Sequence, residues 1–433
     1  MPDDDKGIVP LSRWRAALAR ARRGRKADAL LEEPDAAKLV PQLPVQELYY
    51  AIKEVGLADA EELVALASPL QVRGFIDLDV WERDALDERR LNAWIETLVD
   101  AGPEKLGAAV EALDPEAIAL WLQRQARVYD LTIEQPPEQP EGHYYPTPDR
   151  FYLLDILPAG EEGKAIERAI DWLYRADLDL ARRVIMSAKW EVPADLEEWA
   201  YRWRSGRMAD LGYVDFYEAL SIYRWLDPAS VKLDEHSIVP PPPETPTELP
   251  AVLAGALDEG GFFAGALGTL TSETEITQLH AALVLLTNKA MAADLVEPGD
   301  FDAGKRVLER VVAYLGLGLE YLSRGDLVRA GEALRTIALE RIFRVGVSLT
   351  LQLKTLADTL VEKGGVRPVE MESPAEEVML ALRRRRPEFP RVLEDASIND
   401  THATRPFRTL ADVARAAAAL DGIARQVAAR SRE

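Results

Sequence analysis

The chain has 433 residues, 74 acidic against 52 basic side chains, a net charge of −22, no cysteine and a 48% apolar content. That length predicts two or three compact units. The charge disfavours general binding to nucleic acid or to anionic membranes, and the missing cysteine excludes disulfides, thiolate catalysis and cysteine-ligated metal centres.

Residues 1–38 read as a basic arm. Between Leu11 and Lys26 there are seven basic residues and no acidic one, with Trp14, Ala17, Leu18 and Ala21 sketching a narrow apolar stripe. Such an arm fits an acidic surface, either a partner's or that of its own chain. Being basic and alanine-rich, it is unlike a secretory leader, so none is expected here. The most apolar run, Ala251 to Leu270, is broken by Asp258, Glu259 and several glycines, so no membrane span is expected. A soluble, cytoplasmic protein is the expectation.

Residues 39–133 read as a run of helices. Pro44 opens the first, Leu48 and Ile52 lie on its apolar face, and Gly56 suits a left-handed C-terminal cap. Ser68 followed by Pro69 opens another. Asp79 with Glu82 three residues later reads as a capping box that starts a helix carrying Trp81. Asp87 precedes Leu91, Trp94, Ile95 and Leu98 at helical spacing, and Asp114-Pro115 begins the helix of Ile118, Trp121 and Leu122. Helices this short need neighbours to bury their faces.

Residues 134–150, rich in proline with Gly142, His143, Tyr144 and Tyr145, read as a connecting loop. Residues 151–232 read as a second helical unit, in which Leu157-Pro158 before Ala165-Ile166 faintly echoes Leu43-Pro44 before Ala51-Ile52. Pro240 to Pro243, with Pro246 and Pro250, make residues 233–250 a stiff polyproline linker. Residues 251–433 follow as a C-terminal helical domain, with a helix–turn–helix pair broken at Gly325-Asp326. The Arg383–Arg386 run reads as a helix end with a solvated positive patch. Strand-like alternation is almost absent. The class expected is all-α: stacked short helices in two halves joined by the proline-rich linker.

Signs of chemistry are few. No glycine-rich phosphate loop occurs, and Gly316 and Gly318 suit close helix packing. His143, His236, His280 and His402 are scattered, and no serine sits in a nucleophile elbow. No catalytic residue and no cofactor are expected. Asp77, Asp79, Glu82 and Asp84 are candidate ligands for a hard cation, since they crowd four carboxylates beside Trp81. The richest mixture of arginine and aromatic residues is Trp199, Arg202, Trp203, Arg204, Arg207 and Tyr213. Arginine stacks on aromatic rings and pairs with acids, so this segment is a candidate binding patch, while Glu197, Glu198 and Asp210 offer internal partners.

Five stretches, Gln71 to Asp84, Glu198 to Leu220, Leu315 to Asp326, Arg341 to Leu349 and Arg405 to Val413, resemble an uncharacterised family of bacterial proteins known only as a domain of unknown function. The likeness runs from about residue 30 to the end and implies one unit of descent. It implies no activity, cofactor or site. In style, residues 40–130 are also distantly similar to the superhelical cytoplasmic domain of magnesium transporters. The function expected is a non-catalytic interaction scaffold or adaptor for an unknown protein partner. The alternatives are a regulatory protein responsive to a ligand or divalent cation, and an enzyme of unrecognised type.

Overall fold

The computed structural model describes residues 26–33, 35–233, 261–365, 367–394 and 403–430. The basic arm up to Arg25 and the polyproline segment from Asp234 therefore lie outside the described residues. The chain is predominantly helical and divides into two compact units, at Asp210 and Leu211.

In the first unit the punctuation read from the sequence sets several of the helix ends. Helix Val45–Val55 follows Pro44 and closes at Gly56, whose φ of 97° only glycine adopts without strain. Helix Pro69–Asp79 opens with a reciprocal capping box between Ser68 and Gln71, and helix Glu88–Asp100 opens where the Asp87 carboxylate accepts from the Arg89 and Arg90 amides. Helices Pro103–Ala112, Pro115–Gln125, Gly160–Ala176, Leu178–Trp190 and Pro193–Asp210 complete the unit.

Two expectations need correction. Asp79 ends a helix instead of opening one, and the next residues form a hairpin of strands β1, Trp81–Glu82, and β2, Ala85–Leu86. The reason lies in the Asp79 carboxylate, which accepts from the side chains of Tyr49, Lys53 and Trp94 and so has no part in a cap. The segment 134–150 is not all loop. Strands β3, Ala126–Asp130, β4, His143–Pro146, and β5, Tyr152–Ile156, pair antiparallel in the order β3–β5–β4. Asp155 fixes the entry to β4 by accepting the Glu141 and Gly142 amides, each at 2.9 Å. A side chain at Gly142 would strike the Ile156 carbonyl. Strands this short, interrupted by proline and glycine, leave little periodicity to read.

The core of the first unit holds Tyr49, Phe75 and Trp94, all fully buried, with Phe75 stacked against Trp94 at 5.6 Å between ring centres.

The second unit is built on the long helices Glu273–Asp294, Phe301–Ser323, Leu339–Gly364 and Leu410–Arg430, with the shorter helices Phe262–Leu267, Leu327–Thr336 and Ala375–Leu382. Helices Phe301–Ser323 and Leu339–Gly364 cross at a reciprocal glycine contact. A Cβ on Gly318 would meet the Ile342 carbonyl oxygen at 2.2 Å, and one on Gly346 would meet that of Tyr314 at 2.1 Å. Backbones approach this closely only where both lack a side chain. Tyr314 and Phe343 pack edge to face beside the crossing. The Arg383–Arg386 run is not a solvated patch: Arg383 pairs with Asp358, Arg384 with Glu388 and Arg386 with Asp294. Farther on, Arg405 makes a bidentate pair with Asp412 and lies over the Phe389 ring.

Glycine identity separates crossing from surface. Gly346→Ala is expected to destabilise by about 1–3 kcal/mol, because backbone atoms must shift. Gly206→Ala and Gly422→Ala, where an added Cβ meets nothing within 4 Å, should each stabilise by up to about 1 kcal/mol. Urea midpoints for the three variants check this, and equal losses would reject the assignment.

Candidate functional site

Helix Pro193–Asp210 carries five of the six residues of the candidate patch, and the structure sends them to opposite faces. Arg204 and Arg207 point inward. The Arg207 guanidinium is forked between two carboxylates, with Nε and Nη2 at 2.6 and 2.9 Å from Asp77 and Nη1 and Nη2 at 3.0 and 2.6 Å from Asp114. Burial works against that charge, but the hydrogen bonds and charges of the two aspartates outweigh it and raise Arg207 above its ordinary value. Asp114 is the residue before helix Pro115–Gln125, yet it makes no side-chain cap, because both its oxygens are committed to Arg207.

Arg204 donates from Nε to the backbone carbonyl of Asp77 at 2.8 Å and lies 5.4 Å over the Trp81 ring. Burial brings its guanidinium down to about 10, against the lift from Asp77, so it is charged at neutral pH. Tyr201 leans on the same indole, and Glu197 Oε1 accepts from the Leu86 amide and from Arg124. One face of the helix therefore pins the Trp81 hairpin. Beneath it is a cavity of about 30 Å³, lined by apolar side chains such as Ile95, Leu98, Trp121 and Leu173, with Asp77, Asp114 and Arg207 at its border. That is room for about two waters, far below the size of a metabolite pocket.

The outer face is different. Trp199 and Trp203 stand one turn apart and are 50% and 55% exposed. Arg202 stacks on Trp199 at 5.0 Å while its guanidinium pairs with Glu198 at 2.8 Å. Tyr213 belongs to the second unit, where its hydroxyl approaches the Met291 sulfur.

The four candidate cation ligands are not brought together. Asp77 faces Arg207; Asp79 faces Lys53, Tyr49 and Trp94; Glu82 and Asp84 are exposed on the hairpin. Among the described residues no group of three or more histidine, aspartate or glutamate side chains is placed to hold a metal ion. His143 pairs with Glu167 at 2.7 Å. Burial lifts the Asp79 carboxyl, but the Lys53 ammonium and the Trp94 and Tyr49 donors together outweigh it and hold it below the usual range. Asp114 and Lys53 were not among the site residues expected from the sequence, whereas Tyr201 lies within the arginine–aromatic segment. Asp114 carried a signal, its place before Pro115, but that signal spoke for a cap.

Two measurements probe these pairs. Arg207→Ala leaves Asp77 buried and uncompensated, so a loss of about 3–5 kcal/mol is expected, with part of it recovered on adding Asp77→Asn; no recovery would mean that the pair is not coupled. Asp79→Asn should cost about 1–3 kcal/mol at pH 7. Because the folded carboxyl titrates below its unfolded value, its contribution is complete above about pH 4 and vanishes as pH falls through the folded value. The gap in stability between parent and Asp79→Asn should therefore close on acidification, and a gap that widened would refute the ion pair.

No curated protein and no solved structure matches the chain. A family model does, and its extent bears out the resemblance carried by the five sequence stretches. The model of the family of unknown function DUF6178 matches residues 4–429, nearly the whole length, and the chain belongs to that family.

Proposed function

We propose that the protein is a non-catalytic interaction scaffold in the cytoplasm whose contact surface includes the outer face of helix Pro193–Asp210. The observation that carries this reading is the pair of half-exposed indoles at Trp199 and Trp203. Tryptophan is among the residues that dominate protein–protein contacts, and here two of them stand together on one exposed helix face. The face is held rigid from behind, since Arg204 and Arg207 anchor the opposite side of the same helix. Pre-ordered aromatic side chains lose little entropy when a partner covers them.

A cation-responsive protein would draw support from convergence of Asp77, Asp79, Glu82 and Asp84, and an enzyme from a larger cleft with ionisable groups around it. Among the described residues those four carboxylates do not converge, and the cavity beside Arg207 is small and lined mostly by apolar side chains. The cysteine-free composition suits a reducing compartment. A protein partner also fits the strongly acidic composition better than nucleic acid does.

The test is capture from the source cell after crosslinking, comparing the parent with the Trp199→Ala/Trp203→Ala double variant. The variant should keep its stability to within about 0.5 kcal/mol, as expected of surface changes, while losing its partner. Equal recovery of the same partner by both proteins would end this reading. Arg204→Ala and Arg207→Ala are unsuitable probes, because they strike the inner ion cluster first.

A further inference from the structure

The same helix face carries information about what it would accept. Each of the tryptophans 190 and 199 already has a cation over its ring, Lys189 and Arg202 respectively, both at 5.0 Å. Trp190 ends helix Leu178–Trp190; of the two indoles on helix Pro193–Asp210, Trp203 is the more exposed, and among the described residues no cation or ring lies against it. Asp195, Trp199, Trp203, Gly206 and Asp210 follow one another at intervals of three and four, which sets them along one stripe of the helix. An indole pair is thus bracketed by a carboxylate at each end, about 22 Å apart at the helical rise. Asp195, Gly206 and Asp210 are all exposed, and space above Gly206 is open. A mid-helix glycine that serves no packing contact inside the protein leaves a notch beside Trp203 through which another backbone can come close.

Resting on the scaffold reading above, we propose that this stripe binds an arginine- or lysine-rich amphipathic segment of a partner protein, with one cation seated on the Trp203 ring and others paired to Asp195 and Asp210. Charge complementarity argues for that occupant. The stripe offers two carboxylates, and Arg202, a basic side chain on the same exposed side of the helix, is already paired with Glu198. The net charge of −22 also draws cationic partners inward and opposes a second copy of the same chain. The indole face then supplies what general attraction lacks, a fixed point that selects position along the helix.

The probe is a fluorescein-labelled amphipathic peptide of arginine and leucine, titrated into the full chain and followed by fluorescence anisotropy at low and high salt. Saturable binding that weakens with salt is expected. Trp203→Ala, which changes no charge, should weaken it about tenfold; Trp225→Ala, an equally exposed indole in the second unit, should not. Asp195→Asn with Asp210→Asn should flatten the salt dependence. Absence of saturable binding, equal binding by Trp203→Ala and the parent, or a preference for a glutamate-based peptide would each overturn the proposal. If the peptide fails while the Trp199→Ala/Trp203→Ala variant still loses its captured partner, the contact face stands and only its cationic specificity falls.

Discussion

Two buried carboxylates at the end of one helix organise the first unit. Asp77 and Asp79 are 5% and 7% exposed, two residues apart, and they face opposite ways. Asp79 gathers Tyr49, Lys53 and Trp94, so it ties helix Val45–Val55 to helix Glu88–Asp100 through an aromatic cluster. Asp77 gathers Arg207 and, through its carbonyl, Arg204, so it ties helix Pro193–Asp210 to a point in the chain more than a hundred residues earlier. A lone carboxylate in either place would be strongly unfavourable. Each is tolerable because its donors are fixed by packing, and that requirement makes the helix end a register for the surrounding elements.

The same logic recurs in the second unit, where the loads are divided differently. Close contact of two long helices through Gly318 and Gly346 leaves no room for side chains, so the order there comes from backbone shape. Charged groups appear at its margins. Asp294 takes both Arg310 and Arg386, Tyr223 lies under Arg386, and Arg405 holds Asp412 and Glu394. A run of four arginines that looked like a solvated patch is thereby mostly consumed inside the protein.

The helical class and several helix starts within residues 39–133 were legible in the sequence, because caps such as Ser68 and Asp87 act locally and do not depend on distant residues. What was not legible depended on contacts far apart in sequence. Asp79 matched a capping box in composition, yet Lys53 and Trp94 claim its oxygens, and no local rule could reveal them. Asp114 matched an N-cap in the same way and was claimed by Arg207. The three-stranded sheet escaped notice since its central strand is only five residues long and its edge strand contains a proline.

Helix Pro193–Asp210 inverts the usual assignment of faces. In an ordinary amphipathic helix the apolar side chains turn inward and the charged ones outward; in this one two arginines are inside, two tryptophans outside, and Leu196, Ala200 and Met208 share the buried stripe. Desolvating Arg204 and Arg207 is unfavourable by itself, and it is offset only by the matching carboxylates and the Trp81 ring. A fold needing no more than a packed helix would reach the same end with leucines at both positions, and replacements of that kind are often neutral or stabilising. The bidentate fork adds what leucine does not, a fixed rotation of the helix about its own axis. Rotation by one residue, about 100°, would turn Asp195, Trp203 and Asp210 together away from the direction they now face. The buried ion cluster and the exposed indole stripe are therefore one device, in which directional bonds on the inner side set the direction of the outer one.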